Sequence, residues 1–134
     1  MDFTFPQKIL FKHCDPAGIV FYPRYFEIIN DCIEAFFDRL GFPFEHLHPQ
    51  AAVPTAQIET RFTAPSRHGD QLNLALGVTQ VGRTSLGLEC IAHCGDQQRF
   101  VSRSTLVLTN SQGRPQNWPD DMRAAFTPYL RSTP

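Results

Sequence analysis

The sequence predicts an α+β domain in which an antiparallel sheet curves around one buried helix, and three observations carry that expectation. The first is a run of apolar residues at helical spacing: Tyr25, Ile28, Ile29, Cys32, Ile33, Phe36, Phe37 and Leu40. The stripe is wide and aromatic, so the helix should be deeply buried, with Asp31, Glu34 and Asp38 facing outward. The second is a change of period to two, seen cleanly at Leu72, Leu74, Leu76 and Val78 and again at Leu86, Leu88, Cys90 and Ala92. The third is the tight-hairpin material between such runs, Gly82-Arg83 and Gly95-Asp96, which makes neighbouring strands antiparallel. One helix beside such a sheet buries its apolar stripe by being wrapped.

The elements follow in order. Phe3–Phe11 reads as a first strand. Pro23 suits the first turn of the helix, because the N–H it lacks would be unpaired there, and Gly41 with Pro43 ends the helix after Leu40. Pro43–Pro49 reads as a short helical turn or loop. Four strands are expected at Val53–Thr63, Asp70–Val81, Thr84–Cys94 and Arg99–Thr109, which makes about five in the sheet. Gly77 and Gly87, inside strands, mark bends or close backbone approach. A short helix is expected over Asp120–Phe126. No internal repeat breaks the pattern, and 134 residues make one domain, residues 1–134, with enough chain for a real core.

Composition narrows the function. Hydrophobic residues make up 42% and the formal net charge is −1, so neither a disordered chain nor a surface built to coat nucleic acid is indicated. No apolar run reaches membrane-spanning length, so no membrane partner is expected. Residues 1–10 lack the apolar core of a signal peptide. Cys14, Cys32, Cys90 and Cys94 show no Cys-x-x-Cys spacing and read as free thiols in a reducing, cytoplasmic compartment. A metal held by Cys90, His93 and Cys94 is disfavoured, since strand alternation puts His93 on the face opposite Cys90. The segment Gly82–Gly87 is one residue too long for a nucleophile elbow and sits at a hairpin. A phosphate-cradling Gly-rich loop and His-Glu-x-x-His are both missing from the chain.

What carries chemistry is His13–Tyr25, His-Cys-Asp-Pro-Ala-Gly-Ile-Val-Phe-Tyr-Pro-Arg-Tyr. Pro16 disfavours helix at Asp15, and Gly18 is free to take a turn conformation closed to other residues. A carboxylate is thus held on a stiff bend just ahead of a helix N-terminus, where unpaired N–H groups carry partial positive charge. Carboxylate and preorganised donors together form the minimum kit for attack on an acyl group and stabilisation of its oxyanion.

The string CDPAGIVFYPRYF, after one strand and running into a helix, closely resembles the hotdog-fold acyl-CoA thioesterases, nearest the 4-hydroxybenzoyl-CoA thioesterase branch. Weaker echoes follow at Phe62–Asp70 and Gly82–Ser85, and His13 departs from the acidic residue many relatives carry there. The resemblance implies a hotdog fold and hydrolysis of an acyl-CoA, an aroyl-CoA such as hydroxybenzoyl-CoA first and a short or medium aliphatic acyl-CoA or a carrier-protein thioester next. Asp15 would be the nucleophile or the general base; a carboxylate is a weak base at neutral pH but attacks a thioester directly, and both roles stay open. The Tyr22 backbone N–H would be the oxyanion donor, with Gly18 in the turn and Phe21 and Tyr25 shaping the pocket or packing the core. Arg83 and Ser85 match the position where relatives hold the phosphates of coenzyme A, and a hairpin tip with an Arg fork and a hydroxyl suits a polyanion; Arg83 as a plain turn residue is the other reading. Arg61 and Arg67 are weaker candidates for that role. Glu59 is either a second catalytic or water-orienting group beside the acyl pocket or an exposed ion-pair member. His68 and Asp70 read as turn formers. No cofactor is implied, coenzyme A being part of the substrate. The implied assembly is a homodimer joined edge to edge through Val53–Thr63, paired again into a tetramer. The rival function is a non-catalytic acyl-CoA-binding module, in which a carboxylate on a stiff bend near the thioester would serve nothing.

Overall fold

A computed structural model of the chain describes residues 1–131. The elements run β1 (Phe3–Lys8), α1 (Pro23–Leu40), a one-turn α2 (Phe44–Leu47), a two-residue β2 (Ala51–Ala52), β3 (Thr55–Phe62), β4 (Gln71–Val81), β5 (Ser85–Cys94), β6 (Gln97–Val107), β7 (Thr109–Asn110) and α3 (Asp120–Phe126). Five strands form one antiparallel sheet in the order β1-β4-β5-β6-β3, while β2 and β7 pair separately. This is the predicted α+β arrangement, with β1 and β3 as its two edges.

The core lies between α1 and the inner face of the sheet. Tyr25, Ile28, Ile29, Cys32, Ile33, Phe36 and Phe37 are buried, and Asp31, Glu34 and Asp38 are exposed, as the helical spacing predicts. Gly41 ends α1 in the left-handed region (φ 93°), a conformation costly for any residue with a Cβ. The facing positions are Leu72, Leu74, Leu76 and Val78 on β4, Leu86, Leu88, Cys90 and Ala92 on β5, and Phe100 and Leu106 on β6. Register shifts that leave one residue over in β3, β4 and β6 add local twist, which helps the sheet curl round the helix. At one end α3 closes the core, with Trp118 and Phe126 edge to face at 5.0 Å.

The element ends differ from the sequence expectation where side chains or prolines intervene. β1 stops at Lys8 rather than Phe11, because Leu10 gives its N–H to the His13 side chain and Phe11–His13 turns into a 3-10 helix. β3 begins at Thr55 rather than Val53, since Pro54 precedes it and Ala51–Ala52 pair instead with β7. β6 starts two residues before Arg99 and stops at Val107, short of Thr109, which belongs to β7.

The glycines within strands mark close approaches. A Cβ on Gly77 would stand 2.1 Å from Arg131 Nε, and one on Gly87 would stand 2.5 Å from Thr79 Oγ1. Arg131 lies across the outer face of β4 in the space Gly77 leaves open and pairs with Asp2 (3.1 Å) and Glu89. Glu89 also takes Arg103 (2.9 Å). Gly77, Glu89, Arg103 and Glu59 stand directly opposite one another across β4, β5, β6 and β3, so the outer face carries one transverse line of alternating charge.

Candidate active site

Residues 13–21 form a miniature hairpin in front of α1. The Asp15 N–H donates to the Ile19 carbonyl (3.0 Å), the Phe21 N–H to the His13 carbonyl (2.9 Å), and Cys14 bridges Val20. At the tip the Gly18 N–H donates to the Asp15 carbonyl (2.9 Å), with Gly18 at φ 83°. The Ala17 N–H meanwhile donates to Asp15 Oδ1 (2.9 Å). One carboxylate oxygen is thereby spent on fixing the side chain, and Oδ2 takes no hydrogen bond among the described residues. An Asp followed by Pro, Ala and Gly folds this way because proline sets one turn angle, glycine the opposite one, and the short carboxylate reaches the N–H two residues on.

The return limb is held from its other side. Val20 N–H donates to the Ser66 carbonyl (2.8 Å) and Ile19 bridges Arg67. The 65–70 loop behind it is tied by Arg99, which is buried and donates to the Pro65 carbonyl (3.1 Å), Ser66 Oγ (3.0 Å) and Asp70 Oδ2 (2.7 Å). Asp70 also accepts the Arg67 N–H (2.9 Å), so it is a turn former as the sequence implies. The Arg99 guanidinium, then that N–H, hold its carboxyl below the ordinary 3.8.

Tyr22 leads directly into α1 with helical angles (φ −53°, ψ −34°), and Pro23 follows at the first helical position. The next two N–H groups are used, Arg24 to the Phe21 carbonyl (2.8 Å) and Tyr25 to the Tyr22 carbonyl (3.1 Å). The Tyr22 N–H has no acceptor among the described residues. It is a free donor at the positive end of an 18-residue helix.

Beside that donor runs a cleft of about 330 Å³ lined by Ile19, Val20, Tyr22, Tyr25, Phe62, Thr63, Ala64 and Pro65. Its floor is Tyr25, which stacks on Phe62 (ring centroids 5.4 Å) and meets Phe100 edge on (5.2 Å). Burial, first of all, pushes the Tyr25 phenol above its ordinary 10.0; the hydroxyl lies near Ser66 but not in hydrogen-bonding geometry with it. Phe21 is exposed next to the cleft, in edge contact with Tyr22 (5.8 Å). Asp15 does not line this cleft; it stands across the miniature hairpin from Ile19, which does. A larger concavity of about 580 Å³ on the other flank of α1 is lined mostly by polar and charged groups, including the neutral His13, the Arg24–Glu27 pair (2.8 Å) and Asp31. None of the predicted catalytic or substrate-binding residues lines it.

The remaining predicted residues lie elsewhere. Phe62 packs on α1 and Thr60 Oγ1 meets Ser102 Oγ at 2.9 Å, so even-numbered β3 residues face inward and Glu59 and Arg61 face outward. Glu59 therefore sits on the outer face of the sheet, in a polar groove with Arg61, Gln98 and Arg103, away from the cleft. Arg83 and Ser85 occupy the β4–β5 turn, at the end of β4 remote from Gln71 and the 65–70 loop. Eleven residues of strand put that turn about 30 Å from the Asp15 end of the sheet. Its backbone is secured by the tail: Trp118 N–H donates to the Arg83 carbonyl (3.0 Å) and Trp118 Nε1–H to the Ser85 carbonyl (2.9 Å). The Arg83 side chain is exposed and makes no ion pair among the described residues.

The sequence missed His13 as a structural residue. It is 6% exposed and its Nδ1 accepts the Leu10 N–H (2.9 Å). Burial, then Lys12, hold its pKa below the ordinary 6.5, so the imidazole is neutral at pH 7. Arg99 was read only as the start of a strand; neither role has a local sequence signature.

The family model of the thioesterase-like superfamily matches residues 9–126. The chain belongs to that family. It is a thioester hydrolase by this membership, and its fold is the hotdog fold of the solved thioesterases. A 1,4-dihydroxy-2-naphthoyl-CoA hydrolase of Synechococcus elongatus is 23% identical over 119 residues, covering 87% of this chain and 88% of that protein. The crystal structure of a 1,4-dihydroxy-2-naphthoyl-CoA thioesterase from Synechocystis superposes with a TM-score of 0.87 at 17% identity, over 95% of this chain and 96% of that one. A gentisyl-coenzyme A thioesterase structure gives 0.86 at 24% identity, over 92% and 99%. Among the described residues no helix is long and apolar enough to cross a membrane.

Proposed function

We propose that the protein hydrolyses an acyl-CoA, with an aroyl-CoA such as a hydroxybenzoyl-CoA as the preferred class. The observation that carries the reading is a fixed carboxylate, Asp15, in the miniature hairpin, followed one residue beyond that hairpin by a free helix-end donor, the Tyr22 N–H. Asp15 Oδ2 attacks the thioester carbon, or draws a proton from the water that does; the Tyr22 N–H takes the oxygen as it gains charge. Attack by Oδ2 breaks the C–S bond after the tetrahedral stage, coenzyme A leaves as thiolate, and water then hydrolyses the acyl–Asp15 anhydride to free acid. The aromatic lining from Tyr22, Tyr25 and Phe62 favours a flat acyl group over an aliphatic chain. No cofactor or metal enters this chemistry, and the free cysteines suit a reducing, cytoplasmic setting.

The active unit in this reading is a homodimer through β3, with dimers pairing into a tetramer. Two facts support it. β3 is an open edge with seven of its eight residues exposed. Arg83 and Ser85 lie too far from Asp15 in one chain to hold the same substrate, whereas antiparallel pairing of β3 with its symmetry mate brings the opposite end of the second sheet alongside the Asp15 end of the first. Hydrolysis rates across benzoyl-, hydroxybenzoyl-, hexanoyl- and acetyl-CoA test the class: the aroyl thioesters should have the highest kcat/KM. A clear preference for the aliphatic thioesters would reverse the substrate assignment, and no hydrolysis of any would leave a binding module.

A further inference from the structure

The outer edge of β3 constrains how a second copy can meet it. Thr63 N–H donates to the Arg99 carbonyl on the β6 side (2.9 Å), so at two-residue steps Arg61 and Glu59 also turn their backbone groups toward β6. Ile58, Thr60 and Phe62 then hold their N–H and C=O groups toward the open side. Ile58 (40% exposed) and Phe62 (43%) are also the large apolar side chains that β3 leaves uncovered.

We infer that β3 receives a second copy of this chain with Thr60 on the two-fold axis, setting Glu59 against Arg61 of the partner subunit and Ile58 against Phe62 of the partner subunit. The inference rests on the homodimer reading above and adds its register. A one-residue slip is excluded because it would set inner-face residues against outer-face ones. Among the registers that keep the faces aligned, centring on Glu59 sets that carboxylate against itself, and centring on Arg61 does the same with two guanidinium groups. Centring on Ile58 sets Phe62 opposite Pro54, which has no N–H to give, and runs the pairing into the register shift at Thr55 and Gln57. Only the Thr60 register complements charge twice, pairs the exposed apolar residues twice and keeps the free backbone groups bonded.

Two consequences follow from the same placement. Glu59 and Arg61 of the partner subunit become a non-hydrogen-bonded pair, the kind whose side chains stand closest. The charge line Asp2, Arg131, Glu89, Arg103, Glu59 thereby continues into the second sheet. On the inner face, Ile58 of the partner subunit lies beside Phe62 and closes the open side of the cleft that Phe62 and Ala64 line.

Cross-linking tests the register without reference to hydrolysis. Glu59→Cys and Arg61→Cys proteins, one carrying a mass tag, are mixed, mildly oxidised and run on a non-reducing gel beside the unsubstituted chain. The expected result is a disulfide-linked dimer of mixed mass that neither protein forms alone. Self-linking by Glu59→Cys or by Arg61→Cys moves the axis to that residue and overturns the inference, and so does the absence of any link. Charge reversal gives a second reading: E59R or R61E alone should raise the dimer Kd about tenfold or more, and the double reversal should restore it. No restoration would contradict the pairing. A protein that cross-links as expected yet hydrolyses no acyl-CoA would sink the proposed function and leave the register standing.

Discussion

His13 stabilises the turn that carries Asp15 only while its imidazole is neutral. Its Nδ1 accepts the Leu10 N–H, and its carbonyl accepts the Phe21 N–H that closes the miniature hairpin one residue before Tyr22. Protonation removes the acceptor and places a cation beside Lys12 and Arg24, against the weaker pull of Glu27 and Asp31. Because burial lowers the folded pKa below 6.5, the unfolded chain binds more protons just below that pH. The His13 contribution is therefore complete above about 6.5 and is lost as pH falls toward the folded value. Denaturant midpoints measured from pH 7.5 to 5 should fall in the native protein and flatten in His13→Asn, whose Oδ1 takes the place of Nδ1 without titrating. His13→Gln puts its carbonyl at the Nε2 position instead and should lower kcat about 10- to 100-fold with KM little changed, through misplacement of Asp15 and Tyr22. Equal behaviour of the Asn and Gln variants would remove His13 from the account. The sequence singled out His13 as a departure, but its burial depends on a 3-10 turn that no local pattern announces.

The 65–70 loop is the element on which the site leans, and Arg99 holds it. Arg99→Ala leaves Asp70 without its charged partner and the Pro65 and Ser66 acceptors with one donor fewer, a loss of about 3 kcal/mol or more. The pair contributes above about 3.8, the ordinary Asp70 value, and that contribution disappears as pH falls through the depressed folded pKa. Urea unfolding of Arg99→Ala at pH 7 checks the magnitude, and a cost below 1 kcal/mol would contradict the role. Elements with a strong period were legible in advance: the α1 stripe and the inner faces of β4 and β5 lie where the spacing puts them, and α3 spans Asp120–Phe126 as expected. What the sequence could not show was contact between distant segments. The pairing of Ile19 and Val20 with residues 66–67, which fixes one limb of the site, joins stretches almost fifty residues apart.

At the scale of the whole molecule the site is divided. Asp15 and the Tyr22 N–H occupy one end of the sheet, Arg83 and Ser85 the other, and the homodimer proposed above is what would bring both to one acyl-CoA. Arg83→Ala should raise KM for acyl-CoA about tenfold while kcat holds, since a phosphate contact remote from the thioester binds ground and transition states alike. An acyl-pantetheine, which lacks the nucleotide, should be hydrolysed at the unsubstituted rate; equal damage to both substrates would make Arg83 structural. The motif around Asp15 was legible because turn chemistry is local, whereas the outward position of Glu59 was not, since it depends on which β3 face meets α1. The proposed hydrolysis turns on the Asp15 carboxylate. Asp15→Asn keeps the Ala17 N–H bond through its amide oxygen and so keeps the turn, but removes the charge that the proposed attack or proton transfer requires. Steady-state hydrolysis of the best aroyl-CoA by this variant, with its melting temperature measured alongside, should show kcat reduced by at least ~10²-fold and the fold intact. A folded Asp15→Asn protein that turns over at the native rate would contradict the assignment.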